Sequence, residues 1–380
     1  MAKWILKQEE EERECLVKFR DRHLSGRLLQ EVKSIGQELK ERLGRRPVFI
    51  EVCGTHSVNF SQTGLRRALE ETVDLRSGPG CPLCVTDQGD IDRIIELSTQ
   101  ENVVLGTLGN VLKVPGSRSS LEQERARGAR ALMFNSPSEA VRWAWRNPLK
   151  HIVFLGVGFE PTASVVALSI LEAEDQGIKN YSVYSVHKRI IPALKTLLKD
   201  SELRVDGFIL PGHVSVVVGR KPFDFLALDN EIPGVIAGYE PMDLLGAVEN
   251  LTQQLLKKTC RVDNNYTRVV REEGNITAQR VIQEYFDPCE VSWRGLGKIP
   301  DSGLALKKEL QVYNAAKRFP VEVSRPLNQS GCSCREVLTG KILPTQCDLF
   351  GRECIPSRPV GLCMASPEGA CASYYQYDYR

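Results

Sequence analysis

The sequence predicts an α/β fold built on parallel sheets, and three observations carry that prediction. From residue 48 to about residue 240, short apolar runs alternate with helical segments, the order that parallel strands and crossover helices require. Chemically loaded residues gather where those runs end, the edge at which open α/β sheets place their sites. Beyond 258 the alternation lapses, and from 324 the chain is mostly loop, rich in Cys, Pro and Gly.

Taken in order, residues 1–43 are charged and helical, with "HLSG" (23–26) the expected break between two helices. The opening "MAKWILKQEEEERE" is too acidic, and its apolar stretch too short, for a secretory signal. Strands are predicted at "VFIEV" (48–52), "NVVLGT" (102–107), "HIVFLGVGF" (151–159), "YSVYSV" (181–186), "DGFILPG" (206–212) and "GVIAG" (234–238). Helices are predicted over 87–99, 137–147, 162–175, 190–199 and 241–258. Two α/β units divided near 145 suit the length better than one very wide sheet. "GFEPT" (158–162) and "GYEPMD" (238–243) each end a strand and open a helix with Pro at its start, which hints at a duplicated unit.

Charge excludes some functions. Lys and Arg total 50 against 48 Asp and Glu, a formal +2, which gives no electrostatic footprint for nucleic acid. The basic "RLGRRP" (42–47) reads as the solvated end of a helix. No run approaches the roughly 18 apolar residues of a membrane span. A cytoplasmic protein with neither nucleic-acid nor membrane partners is expected. Cysteine is the anomaly: there are 12, with no export signal to favour structural disulfides, so metal or redox chemistry leads.

Six cysteines fall in the last 49 residues. Cys332, Cys347, Cys354 and Cys371 follow C-x14-C-x6-C-x16-C. Thiolates are soft ligands that suit zinc or an iron–sulfur cluster. Structural zinc usually takes paired knuckles, absent here, so widely spaced single ligands favour a cluster; zinc and free thiols stay open. Were 332–334 extended, Cys332 and Cys334 would share a face, so that one could hold a cluster while Cys334 formed a reducible disulfide with Cys363. The alternative is that both are unpaired bystanders.

Near the other end, Cys81 and Cys84 in "GPGCPLC" (78–84) have the C-x-x-C spacing of dithiol redox motifs and of half a metal site. The helix opened by "TDQGD" (86–90) would make such a thiol more reactive, and a buried pair in a turn is the bland alternative. In "CGTH" (53–56), His56 can share a pocket with Cys53, and His213 in "PGHVS" (211–215) holds a similar strand-end place. Glu160 and Glu240 are poor helix caps beside Asp or Ser, so both are expected to face a cleft rather than serve their helices. His23, His151 and His187 read as structural, and Cys15, Cys260 and Cys289 as ordinary small hydrophobes.

Together these motifs resemble the HypD family of [NiFe]-hydrogenase maturation proteins. "CGTH", "GPGCPLC", "PGHVS", "GYEPMD" and the four-cysteine spacing occur in the family's order from about residue 48 to the C-terminus. Ser57 stands where the family usually has Thr, and "GFEPTAS" replaces its more usual G-F-E-T-T-A-P. The resemblance implies three domains: two Rossmann-like α/β units flanking a cleft, over 46–145 and 146–257, and an α+β unit from 1–45 and 258–380. It implies a scaffold, with redox-active parts, on which the Fe(CN)2CO moiety is assembled in a transient HypC–HypD–HypE complex. HypC would share the iron and HypE would donate cyanide. A [4Fe–4S] cluster on Cys332, Cys347, Cys354 and Cys371 is implied, with Cys334/Cys363 as an adjacent redox pair. Cys53 is implied as the thiol for the nascent iron, with Cys81 and Cys84 as a dithiol across the cleft. A free-standing [4Fe–4S]-dependent disulfide/dithiol oxidoreductase and a zinc-stabilised α/β binding protein are the alternatives.

Overall fold

The computed structural model describes residues 22–109, 111–323 and 331–379. Two parallel sheets organise it. In the first, β1 (Val48–Glu51) lies between β2 (Asp74–Ser77) and β7 (Gly207–Pro211), and β8 (Gly234–Ala237) and β9 (Val262–Asn264) extend it outward. In the second, β3 (Val103–Leu108) lies between β4 (Ala131–Phe134) and β5 (His151–Gly156), with β6 (Tyr181–Ser185) beyond β5. The central strands β1 and β7 are buried along their whole length, as parallel strands covered on both faces must be.

This pairing corrects the division at 145. The chain lays down β1 and β2, leaves to build the entire second sheet, and returns with β7 to complete the first. Units of 46–145 and 146–257 would each mix strands from both sheets. Apolar runs report that a strand is buried, not which neighbour it takes.

The longer helices fall where the periodicity placed them. α1 (Arg22–Leu43) buries Val32, Ile35 and Leu39 on one stripe. It runs unbroken through 23–26, so the break expected at "HLSG" does not occur; the helix expected before it, and Cys15, lie outside the described residues. α2 (Gly54–Gln62) and α3 (Leu65–Leu69) follow β1, and α4 (Gln88–Ser98) is capped by the Asp87 carboxylate, 2.9 Å from the Gly89 N–H. α5 (Pro137–Arg146), α6 (Glu160–Asp175), α7 (Ile190–Leu197), α8 (Gly212–Val218) and α9 (Pro241–Leu256) connect the remaining strands. α1 packs on α9. Among the described residues no helix is long and apolar enough to cross a membrane.

After the sheets come α10 (Ile276–Tyr285) and a hairpin, β10 (Phe286–Trp293) paired antiparallel with β11 (Gly297–Leu306). Trp293 is buried and donates its indole N–H to Ser302 Oγ at 2.9 Å. Lys188, buried just beyond β6, donates to the Ser292 carbonyl at 3.0 Å and so ties the hairpin to the second sheet. Residues 331–379 are short turns and helices, among them Cys334–Leu338, Leu362–Ala365 and Ala370–Ser373, the last packed against α2.

Candidate metal and thiol site

Cys53 ends β1 and opens α2. Its backbone is still extended (φ −154°, ψ 127°), so its side chain occupies the N-cap position. Burial raises the thiol pKa, opposed by the His56 backbone N–H, the Tyr239 hydroxyl and the Thr55 N–H, all of which favour a thiolate. The result is a buried thiol provided with donors, more stable protonated until a cation neutralises it. The Tyr239 hydroxyl lies 3.7 Å from Cys53 Sγ and accepts the His213 N–H at 2.8 Å.

Three rings line this spot. Tyr239 stacks on the exposed His213 at 4.0 Å between centroids and tilts against His56 at 4.8 Å. His56 is fully buried, and neither ring nitrogen has a hydrogen-bond partner of good geometry. Burial pulls its pKa down to about 4, although the Ala237 and Gly238 carbonyls facing it work in the other direction. His56 is therefore a neutral imidazole with free capacity beside a thiol.

Cys81 and Cys84 sit on the loop after β2. Gly54 N–H donates to Gly80 O at 3.2 Å, so this loop lies directly on the Cys53 turn. The two thiol elements grow side by side from one sheet rather than from opposite walls. Glycine is required at both contacts: a Cβ on Gly80 would lie 2.2 Å from the Cys53 nitrogen, and one on Gly54 would lie 2.4 Å from the Glu368 carbonyl oxygen. Burial would raise the Cys81 pKa, but hydrogen bonds with Cys84 and Ser366 outweigh it and bring the thiol below its ordinary value. Cys84 is pushed well up by burial and by its neighbours Cys363 and Cys81. The lowered thiol of this pair is thus Cys81, and the cause is local hydrogen bonds rather than a helix start, since α4 begins only at Gln88. A crevice of about 420 Å3 opens beside Cys81, bounded by Leu83, Leu108, Val157, Pro367 and Glu368.

All six C-terminal cysteines line one small pocket, together with Val337, Phe350 and Met364. The Cys334 and Cys363 sulfurs are 3.5 Å apart as free thiols. Ser333 (φ −81°, ψ 36°) turns the chain into Cys334–Leu338, so 332–334 is not extended and the same-face argument fails; tertiary folding brings the two side chains together instead. Cys84 and Cys371 lie near enough to Cys363 for these thiols to perturb one another, which brings the pocket up to the C-P-L-C loop. Val360 N–H donates to Cys354 Sγ at 3.3 Å. Among the described residues no three His, Cys, Asp or Glu side chains converge as ligands of a single ion would. Thiols spread around an apolar wall fit a larger inorganic core.

Both glutamates are engaged at helix starts, contrary to the expectation that they stand apart from their helices. Glu160 is buried, and its carboxylate accepts the Ile190 N–H at 3.1 Å, joining the starts of α6 and α7. Glu240 forms a capping box with Asp243, whose carboxylate accepts the Glu240 N–H at 3.1 Å. A longer acid can cap when its chain folds back, which residue preference alone does not show. Burial raises the Glu160 pKa to about 7 and leaves its second oxygen without a partner. Its proton is held more tightly in the folded state, so it contributes stability below the unfolded carboxylate pKa that is lost as pH rises through 7. Glu160→Gln should match the wild type at pH 4.5 and exceed it at pH 8 by about 1–3 kcal/mol. Denaturant titrations at the two pH values check this.

His151 and His187 have structural partners, Ser182 at 2.8 Å and Ser185 at 2.9 Å. The His23 side chain lies outside the described residues. Cys260 is exposed and Cys289 half-buried, so of the two read as ordinary small hydrophobes only Cys289 is packed even in part. Sequence reasoning overlooked two members of the site. Tyr239 lies in "GYEPMD", where the sequence points first to its neighbour Glu240. Glu368 accepts the Thr55 hydroxyl at 3.1 Å and its charge raises the Cys53 and Cys81 thiols, yet only an acid in a Pro–Gly turn between two cysteines marked it.

Comparison with known proteins agrees with the motif order. Residues 27–378 match the HypD family, described as "Hydrogenase formation hypA family". The chain is 39% identical over 363 residues to the hydrogenase maturation factor HypD of Escherichia coli (strain K12), covering 92% of this chain and 95% of that protein. It is 37% identical over 364 residues to the factor of the same name from Rhodobacter capsulatus, covering 94% and 97%. The hydrogenase expression/formation protein HupD of Azotobacter chroococcum mcd 1 is 41% identical over 335 residues, covering 86% and 88%. With its thiol-lined strand ends and near-complete coverage, the chain belongs to the HypD family of hydrogenase maturation factors.

Proposed function

We propose that the chain is the scaffold on which the Fe(CN)2CO moiety of [NiFe]-hydrogenase is assembled, with HypC sharing the iron and HypE donating cyanide in a transient three-protein complex. One observation carries this reading. A continuous set of thiols runs from Cys53 and its donors, through the adjoining Cys81/Cys84 loop, to Cys363 and the six-cysteine pocket. Cys53 provides a thiolate for the iron, which is the cargo, and Tyr239 and the α2 N–H groups offer donors to the nitrogen ends of iron-bound cyanide. The crevice beside Cys81 gives a cyanide carrier room to approach.

In the pocket, Cys332, Cys347, Cys354 and Cys371 would hold a [4Fe–4S] cluster, which supplies single electrons. Cys334 and Cys363 would close to a disulfide on releasing two electrons and two protons, and Cys81/Cys84 would do the same beside the iron, where the thiocyanate of the cyanide carrier takes up two electrons as its S–C bond breaks to leave a thiolate and cyanide. The site is suited to hold one cargo and to reduce the thiocyanate brought to it, so the chain acts as a redox-active scaffold more than as a turnover enzyme.

Infrared spectroscopy of the chain, purified anaerobically with HypC, should show cyanide and carbon monoxide stretching bands. A protein that lacks those bands but reduces small disulfides without HypC would be the free-standing disulfide oxidoreductase instead.

A further inference from the structure

Beneath the Cys53 turn lies a buried ion pair that the proposed chemistry does not use. Arg66, on α3, is 8% exposed and Glu51, the last residue of β1, is fully buried. The Arg66 guanidinium donates to Glu51 Oε2 at 2.9 Å, to the Leu75 carbonyl at 2.8 Å and to Ser61 Oγ at 3.0 Å. It also lies 4.6 Å from the centre of the Tyr374 ring and 3.5 Å from the Asp378 carboxylate. Ser57, next to His56, donates its hydroxyl to Glu51 at 2.5 Å and accepts that of Ser77 at 2.9 Å. From the C-terminal segment, Ser373 Oγ donates to the Ser57 carbonyl at 3.2 Å and Tyr374 Oη to the Leu75 carbonyl at 3.3 Å.

This node therefore touches every segment that carries a site thiol. Glu51 and Ser57 flank Cys53 and His56, Leu75 and Ser77 precede the Cys81 loop, and Ser373, Tyr374 and Asp378 follow Cys371. Desolvating two charges makes a buried ion pair a poor stability device, and an apolar pair of similar volume often serves as well. What the guanidinium supplies is direction: a rigid fork of donors meeting several fixed acceptors at once.

We propose that Arg66, held by Glu51, is a positioning residue that sets the Cys53–His56 turn against the Cys81 loop and the C-terminal cysteine segment. This deepens the scaffold reading, on which it rests only for what the turn is used for.

The test compares Arg66→Lys, which keeps the charge and loses the fork, with the Glu51→Gln/Arg66→Met pair, which removes both charges. Alkylation of Cys53 by iodoacetamide is followed by peptide mass spectrometry on the full chain produced without partner proteins, beside its thermal midpoint. Cys53 should react about tenfold faster in both variants, through easier local opening. Cys289 in β10 should keep its wild-type rate, and the midpoint of the double variant should stay near that of the wild type. Wild-type reactivity of Cys53 in Arg66→Lys overturns the proposal. So does an equal acceleration at Cys289, which would mean general loosening. Alkylation needs no iron, so this result and the infrared result stand or fall separately.

Discussion

Cys53→Ala should fold, keep the iron and sulfide of its C-terminal segment, and lose the cyanide and carbon monoxide bands of the complex with HypC. The separation follows from geometry. Cys53 contacts Tyr239 at the end of the first sheet and is not among the residues that line the six-cysteine pocket. Replacing one small side chain at a strand end costs about 1 kcal/mol, too little to unfold the domain. The backbone N–H groups of Thr55 and His56 would survive the change, but the sulfur they face would not. His56→Ala should be intermediate, with weaker bands or shifted cyanide frequencies, because it removes a neutral ring beside the thiol and leaves the thiol in place. Full-strength bands at unchanged positions in Cys53→Ala would show that another residue binds the iron.

Cys354→Ala should have the converse effect. Anaerobic wild-type protein should hold about four irons and four acid-labile sulfides per chain, and the variant should lose most of both. Cys354 is 5% exposed and belongs to a small core with Cys347, Phe350, Met364 and Tyr374. So small a core stabilises the segment weakly without a metal group, and loss of the cluster should lower the thermal midpoint further than Cys53→Ala does. Stoichiometric zinc with no labile sulfide in the wild type would replace the cluster with a structural zinc site.

Much of the local structure was legible. Five helices between 87 and 258 and the strands that start near 48, 102, 151, 181, 206 and 234 appear where apolar runs and caps predicted them. The hairpin strands β10 and β11 were not marked, and the parallel-sheet strands missed had weak signals for a physical reason. β2 reads "DLRS", and its charges are accommodated because Asp74 and Arg76 pair at 2.7 Å. β4 and β9 lie at sheet edges, and β9 has only three residues. The capping role of Glu240 is not visible in its residue type, because a capping box depends on the partner three residues on, not on the cap residue alone.

By itself the sequence determined the chemistry available and the strand ends that carry it: a thiol and imidazole after β1, a dithiol after β2, and six cysteines in a loop that apolar packing alone would hold poorly. It also determined the family, because motif order survives without coordinates. Only the tertiary structure decided which strands are neighbours, that the Cys81 loop rests on the Cys53 turn, and that Cys363 reaches Cys84. Those are contacts between residues far apart in the chain. Periodicity records whether a side chain is buried, whereas partners are chosen by the sheet crossover that returns β7 beside β1 and by close approaches such as Gly54 to Glu368 and Arg66 to Tyr374.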